Sequence, residues 1–276
     1  MKRVAAILLL AGCAYAPEVR QARLDPAADV WAYYADGVDD AEVSVALVRD
    51  GVPFFAGDPR AIYRIGDLTE LFVLEAASRL EERGVIDLGR PLVDYARFPL
   101  GPRYAGVTMR DLAELKTPRI DSDASLEFLV ARFPWVSDAR MALFSALLEG
   151  AVGKPVEEIV KDEVVVPLRL SDTTFMPTRD KASRVVSRGH SFDGIYSSVE
   201  DCVKFFASTG RALSSARFRH RTVRGVGMAY AVGRIRGGRR FVACPEGRRD
   251  FLLIFRNVTR WSHYKDFEFA SETFAR

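Results

Sequence analysis

The sequence predicts an α+β domain in which one antiparallel sheet is formed by both chain ends, flanked by helices, with a helical subdomain at roughly 88–190. Three observations lead there. Residues 42–48 and 52–55 are rich in β-branched and aromatic side chains around the turn Arg49-Asp50-Gly51, the pattern of a hairpin. Residues 227–235, 239–243 and 251–255 read as three more strands, separated by Gly-Gly and Glu-Gly turns. Between the two sets, apolar residues recur at helical spacing, beginning with Leu68, Leu71, Phe72, Ala76 and Leu80 behind the turn at Gly66.

The composition agrees with a packed domain. Of 276 residues, 49% are hydrophobic and the mean hydropathy is close to zero, so the chain buries a substantial core and is not disordered on a large scale. A net charge of +3 is too small for this length to suggest nucleic acid, and none is expected as a partner. The charge is uneven, however. Arg211, Arg217, Arg219, Arg221, Arg224, Arg234, Arg236, Arg239, Arg240, Arg248 and Arg249 crowd into one segment, which reads either as a solvated face of strands and connections or as a patch for anionic lipid or an acidic partner.

In chain order, Lys2-Arg3 followed by a short apolar run to Ala11 is an export signal, too short for a permanent membrane span. Leu10-Ala11-Gly12-Cys13 resembles the lipobox of bacterial lipoproteins. That resemblance implies a lipoprotein signal peptide at 1–12, lipidation of Cys13, a tether at 13–29 and a domain at 30–276, held on a membrane by the lipid and facing the periplasm in a Gram-negative cell. Cys202 and Cys244 remain; the sequence leaves open whether they form a disulfide or stay as buried thiols. Helices are expected at 67–80, 109–115, 125–133, 139–152, 156–164 and 199–206.

Several strings, in order, carry a family resemblance. They are Tyr63-Arg64-Ile65-Gly66-Asp67-Leu68-Thr69-Glu70, Val107-Thr108-Met109-Arg110-Asp111-Leu112, Pro167-Leu168-Arg169-Leu170-Ser171-Asp172-Thr173-Thr174-Phe175 and Asp193-Gly194-Ile195-Tyr196-Ser197-Ser198. Together they resemble the serine β-lactamase and penicillin-binding-protein-like family, in its class C β-lactamase, D-alanyl-D-alanine carboxypeptidase and esterase branch. The resemblance implies a β-lactamase/transpeptidase-like fold and spans residues 42–257.

The same resemblance implies a serine nucleophile and a lysine base one turn apart at the start of the central helix; here those positions are Asp67 and Glu70. Glu70 cannot do the work of a lysine that becomes cationic on taking a proton. The tyrosine-x-asparagine motif corresponds to Val136-Ser137-Asp138, and the late-strand Lys/His-Thr/Ser-Gly motif has no evident counterpart. No catalytic residue is therefore expected. Asp67 and Glu70 also fit a capping box, with Asp67 as the cap and Glu70 reaching back to it.

If the family fold holds, Asp67, Glu70 and Asp138 line one cleft, and three carboxylates there call for a divalent cation, a bound amine or guanidinium, or protonation. Arg140 and Lys116 are the candidate neutralising groups and complete the set of candidate ligand-binding residues. The expected function is that of a pseudoenzyme binding or scaffolding within the cell envelope, with peptidoglycan or an envelope protein as partner and no cofactor. The alternative is a hydrolase with rearranged, metal-assisted chemistry.

Overall fold

The computed structural model describes residues 26–36, 42–117, 127–136, 139–186, 194–209, 216–235, 238–257 and 263–275. The residues expected to form a signal peptide, Cys13 and most of the expected tether lie outside the described residues, as do Ser137, Asp138, Arg211 and Arg236.

One six-stranded antiparallel sheet has the order β2-β1-β8-β7-β6-β5. Its strands are β1 (Val43–Arg49), β2 (Val52–Ala56), β5 (Arg219–Val223), β6 (Val226–Ile235), β7 (Gly238–Pro245) and β8 (Phe251–Arg256). The N-terminal strand β1 pairs with the last strand β8 from Val43↔Arg256 to Val48↔Phe251, so the sheet is closed by both chain ends as the alternation predicted. β3 (Ile62–Arg64) and β4 (Tyr196–Ser198) form a separate two-stranded ladder.

Side chains alternate between two covered faces. Val45, Leu47, Phe241, Ala243, Leu252 and Ile254 pack against α1 (Pro26–Ala35) and the C-terminal helix α8 (His263–Ala275). Ala46, Val48, Val242, Leu253 and Phe255 pack against the central helix α2 (Thr69–Glu82) and against α7 (Val199–Ser208). Burial on both faces explains why β8 is apolar from Phe251 to Phe255.

Between the sheet halves run α3 (Met109–Ala113), α4 (Glu127–Arg132), α5 (Ala139–Val152) and α6 (Val156–Val160), the last continuing into a π turn at Lys161–Val165. These helices share one core with α2 and the sheet. The face Leu68, Leu71, Phe72, Ala76 and Leu80 is buried, and Phe72 stacks on Phe205 of α7 at 3.9 Å between ring centroids.

One boundary differs from expectation. The tether expected to reach Asp29 instead gives way to α1 at Pro26, because Ala27, Val30 and Tyr34 recur at helical spacing and form a fully packed stripe. β5 and α8 had no clear sequence pattern and are set by their packing on β6 and β7.

Two buried polar clusters tie the layers. Arg240 donates to the carbonyls of Arg64 (3.0 Å), Arg239 (2.9 Å) and Arg256 (2.5 Å) and to Asn257 Oδ1 (2.8 Å), while its guanidinium lies over Tyr63. Burial pulls its pKa down to about 9, and these acceptors and the ring face hold the charge. On the other face the buried Asp266 accepts from Tyr34 Oη (2.5 Å) and Arg256 Nη2 (3.3 Å) and lies 2.9 Å from Arg239 Nε.

Cys202 and Cys244 are free and buried, so the disulfide alternative is not realised. Desolvation pushes their thiols up, to about 12 and about 11. A thiol that ionises earlier in the unfolded chain stabilises the fold fully below its unfolded pKa and progressively less as pH rises toward the folded value. The stability advantage of wild type over Cys202→Ala, measured by urea denaturation, should therefore shrink by about 2 kcal/mol between about pH 8 and about pH 10.5.

Candidate functional site

Gly66, at φ +58°, turns the chain out of β3 into a 3₁₀ turn, Gly66–Leu68, that runs directly into α2. The turn lies hard against β6. A Cβ on Gly233 would stand 2.0 Å from the Ile65 carbonyl oxygen, and one on Gly66 would stand 2.5 Å from the Arg234 carbonyl oxygen. Across the start of α2, Thr69 Oγ1 accepts from the Ile195 amide at 3.0 Å, fixing the helix to the segment before β4.

The expected capping box does not form. Leu68 is already helical, neither the turn nor α2 has a side-chain cap, and both acidic groups turn to arginines. Arg234 Nε donates to Asp67 Oδ2 at 3.0 Å, and Arg217 Nη1 lies 3.2 Å from Glu70 Oε2. The second pair is buried, with side chains 8% and 3% exposed. Burial raises the Asp67 carboxyl above the usual range, with the Arg234 hydrogen bond and charge pulling the other way.

These pairs stand in a cleft of about 460 Å³ between the start of α2, Leu115, Arg140 of α5 and the β5–β6 corner. Six arginines line it, Arg140, Arg217, Arg219, Arg221, Arg234 and Arg239, against the two carboxylates Asp67 and Glu70. Arg140 Nη1 donates to the Thr117 carbonyl at 3.0 Å. Leu115 closes α3 in the left-handed region, at φ +56°, and forms part of the wall.

Of the residues singled out in the sequence, the structure brings Asp67, Glu70 and Arg140 together along one cleft. Lys116 is elsewhere: it is exposed and pairs with Glu114 at 2.5 Å. The neutralising groups are instead Arg234 and Arg217, from the arginine-rich segment. Arg217 lies in the turn just before β5 and Arg234 near the end of β6, and the crowding of arginines in this segment did not say what either would face. Val136, the residue the sequence comparison sets opposite the family's motif tyrosine, is half-buried and packs on the core. The strand beside the Asp67 turn is β6, which there reads Ala231-Val232-Gly233-Arg234, a glycine without the Lys or His and Thr or Ser before it.

The cation site expected at Asp67, Glu70 and Asp138 does not fit this arrangement. Asp138 is outside the described residues, Asp67 and Glu70 each face a guanidinium, and a divalent ion would enter a cleft already rich in positive charge. Among the described residues no group of three or more His, Cys, Asp or Glu is placed to hold a metal.

The sequence model of the family described as Beta-lactamase matches residues 32–242. The chain belongs to the beta-lactamase family. It is 27% identical over 186 residues to the D-alanyl-D-alanine-carboxypeptidase/endopeptidase AmpH of Escherichia coli K12, an alignment covering 52% of this chain and 48% of the relative. The protein of the same name from Escherichia coli O157:H7 matches equally. The chain thus spans about half the length of the curated relatives it matches.

Among solved structures, a β-lactamase/D-alanine carboxypeptidase from Yersinia pestis, complexed with citrate, superposes with a TM-score of 0.65 at 15% identity, covering 90% of this chain and 97% of that one. A class C β-lactamase from Rhodobacter sphaeroides gives a TM-score of 0.70 at 13% identity, with 91% and 99% coverage. The β-lactamase/transpeptidase fold is therefore retained, with Asp67 and Glu70 at the start of its central helix.

Two substitutions test this geometry. Gly233→Ala drives a methyl into the Ile65 carbonyl and should cost about 2–3 kcal/mol in urea denaturation. Glu70→Met leaves Arg217 buried beside a neutral side chain and should cost about 3 kcal/mol, with much of the loss recovered in Glu70→Met/Arg217→Met.

Proposed function

We propose that this chain is a non-hydrolytic member of the beta-lactamase family that works by binding in the cell envelope, exported and anchored through lipid on Cys13. The observation that carries the reading is the pair of ion pairs, Asp67–Arg234 and Glu70–Arg217. Acyl transfer in this fold needs a neutral hydroxyl made nucleophilic by an adjacent base. An aspartate held by Arg234 is a poor substitute, and a buried glutamate neutralised by Arg217 has no reason to take a proton from it. Val136 supplies no proton shuttle. Because members of a catalytic unit act together, their joint replacement removes the rate enhancement and leaves the cleft as a binding surface.

The curated relatives are named as carboxypeptidases and endopeptidases, which supports an envelope ligand of peptidoglycan origin or a protein acting on peptidoglycan as the partner. Cys13 follows Leu10-Ala11-Gly12, which supports lipid attachment there.

Intact-mass measurement after incubation with a fluorescent penicillin should show no covalent adduct, and turnover of a generic ester should equal the buffer rate with or without added divalent metal. Reproducible turnover abolished by Asp67→Ala would overturn the proposal in favour of rearranged hydrolytic chemistry.

A further inference from the structure

Resting on the reading of the cleft as a binding site, we infer that its β5–β6 corner recognises a phosphate-bearing anion, a phosphomonoester or a diphosphate. The register places the recognising groups. β5 pairs with β6 from Arg219↔Tyr230 to Val223↔Val226, and β6 pairs with β7 through Tyr230↔Ala243 and Arg234↔Arg239. Residues two apart on a strand, and residues directly opposite across a ladder, share a face. Arg219, Arg221, Arg234 and Arg239 therefore rise from the same face of the sheet, the face on which Phe267 of α8 packs against Tyr230 at 4.7 Å.

Two of these four guanidiniums already have carboxylates: Arg234 has Asp67, and Arg239 has Asp266, which Arg256 also contacts. Among the described residues no carboxylate is in ion-pair contact with Arg219 or Arg221. The Arg221 guanidinium lies over Phe267 at 4.7 Å and Tyr264 at 5.1 Å. A guanidinium over rings keeps its in-plane N–H groups for other acceptors, in the fork that matches two oxygens of one phosphate. Holding that plane in place before the ligand arrives lowers the ordering cost of binding.

The corner thus carries two positive charges beyond its own carboxylates. A monocarboxylate would compensate one of them; a phosphate group, near −2 at neutral pH, matches both. The shared chemistry could be presented by a soluble diphosphate or phosphosugar or by a lipid headgroup.

The test is calorimetry and thermal melting of the full chain with pyrophosphate and with acetate at matched ionic strength, and sedimentation with vesicles containing phosphatidic acid, whose headgroup is a phosphomonoester. Pyrophosphate should bind with a dissociation constant below about 1 mM and raise the melting temperature, and acetate should do neither. Arg219→Gln/Arg221→Gln, with an unchanged melting temperature in the absence of ligand, should weaken binding by about tenfold or more, and Arg219→Lys/Arg221→Lys should restore part of it. Vesicle binding lost in the Gln variant would assign the phosphate to a lipid headgroup, and binding of pyrophosphate alone would assign it to a soluble ligand. No pyrophosphate response in wild type, or equal affinity in the Gln variant, would overturn the inference. That failure would leave the penicillin result standing, whereas acyl turnover would sink the binding reading without touching the phosphate measurement.

Discussion

The close approach of β6 to the turn at Gly66 is the constraint on which the site depends. With no side chain at Gly233 and none at Gly66, the two backbones come within the distance that a methyl group would occupy. That contact sets the start of α2 against the sheet. It also puts Arg234, at the end of β6, within reach of a side chain 167 residues earlier in the chain. The cleft, its cationic corner and the pairing of Asp67 all follow from it.

Two acidic side chains at the start of a buried helix would be costly alone. Asp67 is three-quarters buried and Glu70 almost wholly so, and each carboxylate is compensated by a guanidinium from the β5–β6 region. The outer pair, with Arg234 largely exposed, contributes little to stability. The inner pair adds little net stability over an apolar replacement, yet breaking it is expensive because one charge would be stranded. Its effect is to fix Arg217 over α2 and to hold the helix start acidic.

The elements with strong local patterns were legible. The hairpin at β1–β2, the apolar runs of β7 and β8, the stripe on α2 and the run at 139–152 each carry their own periodicity, and burial by the tertiary fold agrees with them. Elsewhere local rules were overridden. Asp67 and Glu70 have the spacing of a capping box, but the chain is already helical at Leu68, and the arginines of a distant hairpin offer charged partners that the backbone amides do not match. Three of the five residues of β5 are arginine or histidine, and the strand is held by its ladder to β6 and by Arg221 over the rings of α8.

The sequence alone determined the antiparallel sheet drawn from both chain ends, the central helix behind Gly66, the family membership suggested by its ordered motifs, and the acidic pair Asp67 and Glu70 at the start of that helix. These are properties of residue identity and short-range spacing. Tertiary structure decided what those acids pair with, since Arg234 on β6 and Arg217 just before β5 lie more than a hundred residues away and no local pattern couples them. It also turned an arginine-rich stretch from a surface feature into a wall of the cleft, because only the register of β5, β6 and β7 shows that Arg219, Arg221, Arg234 and Arg239 share one face.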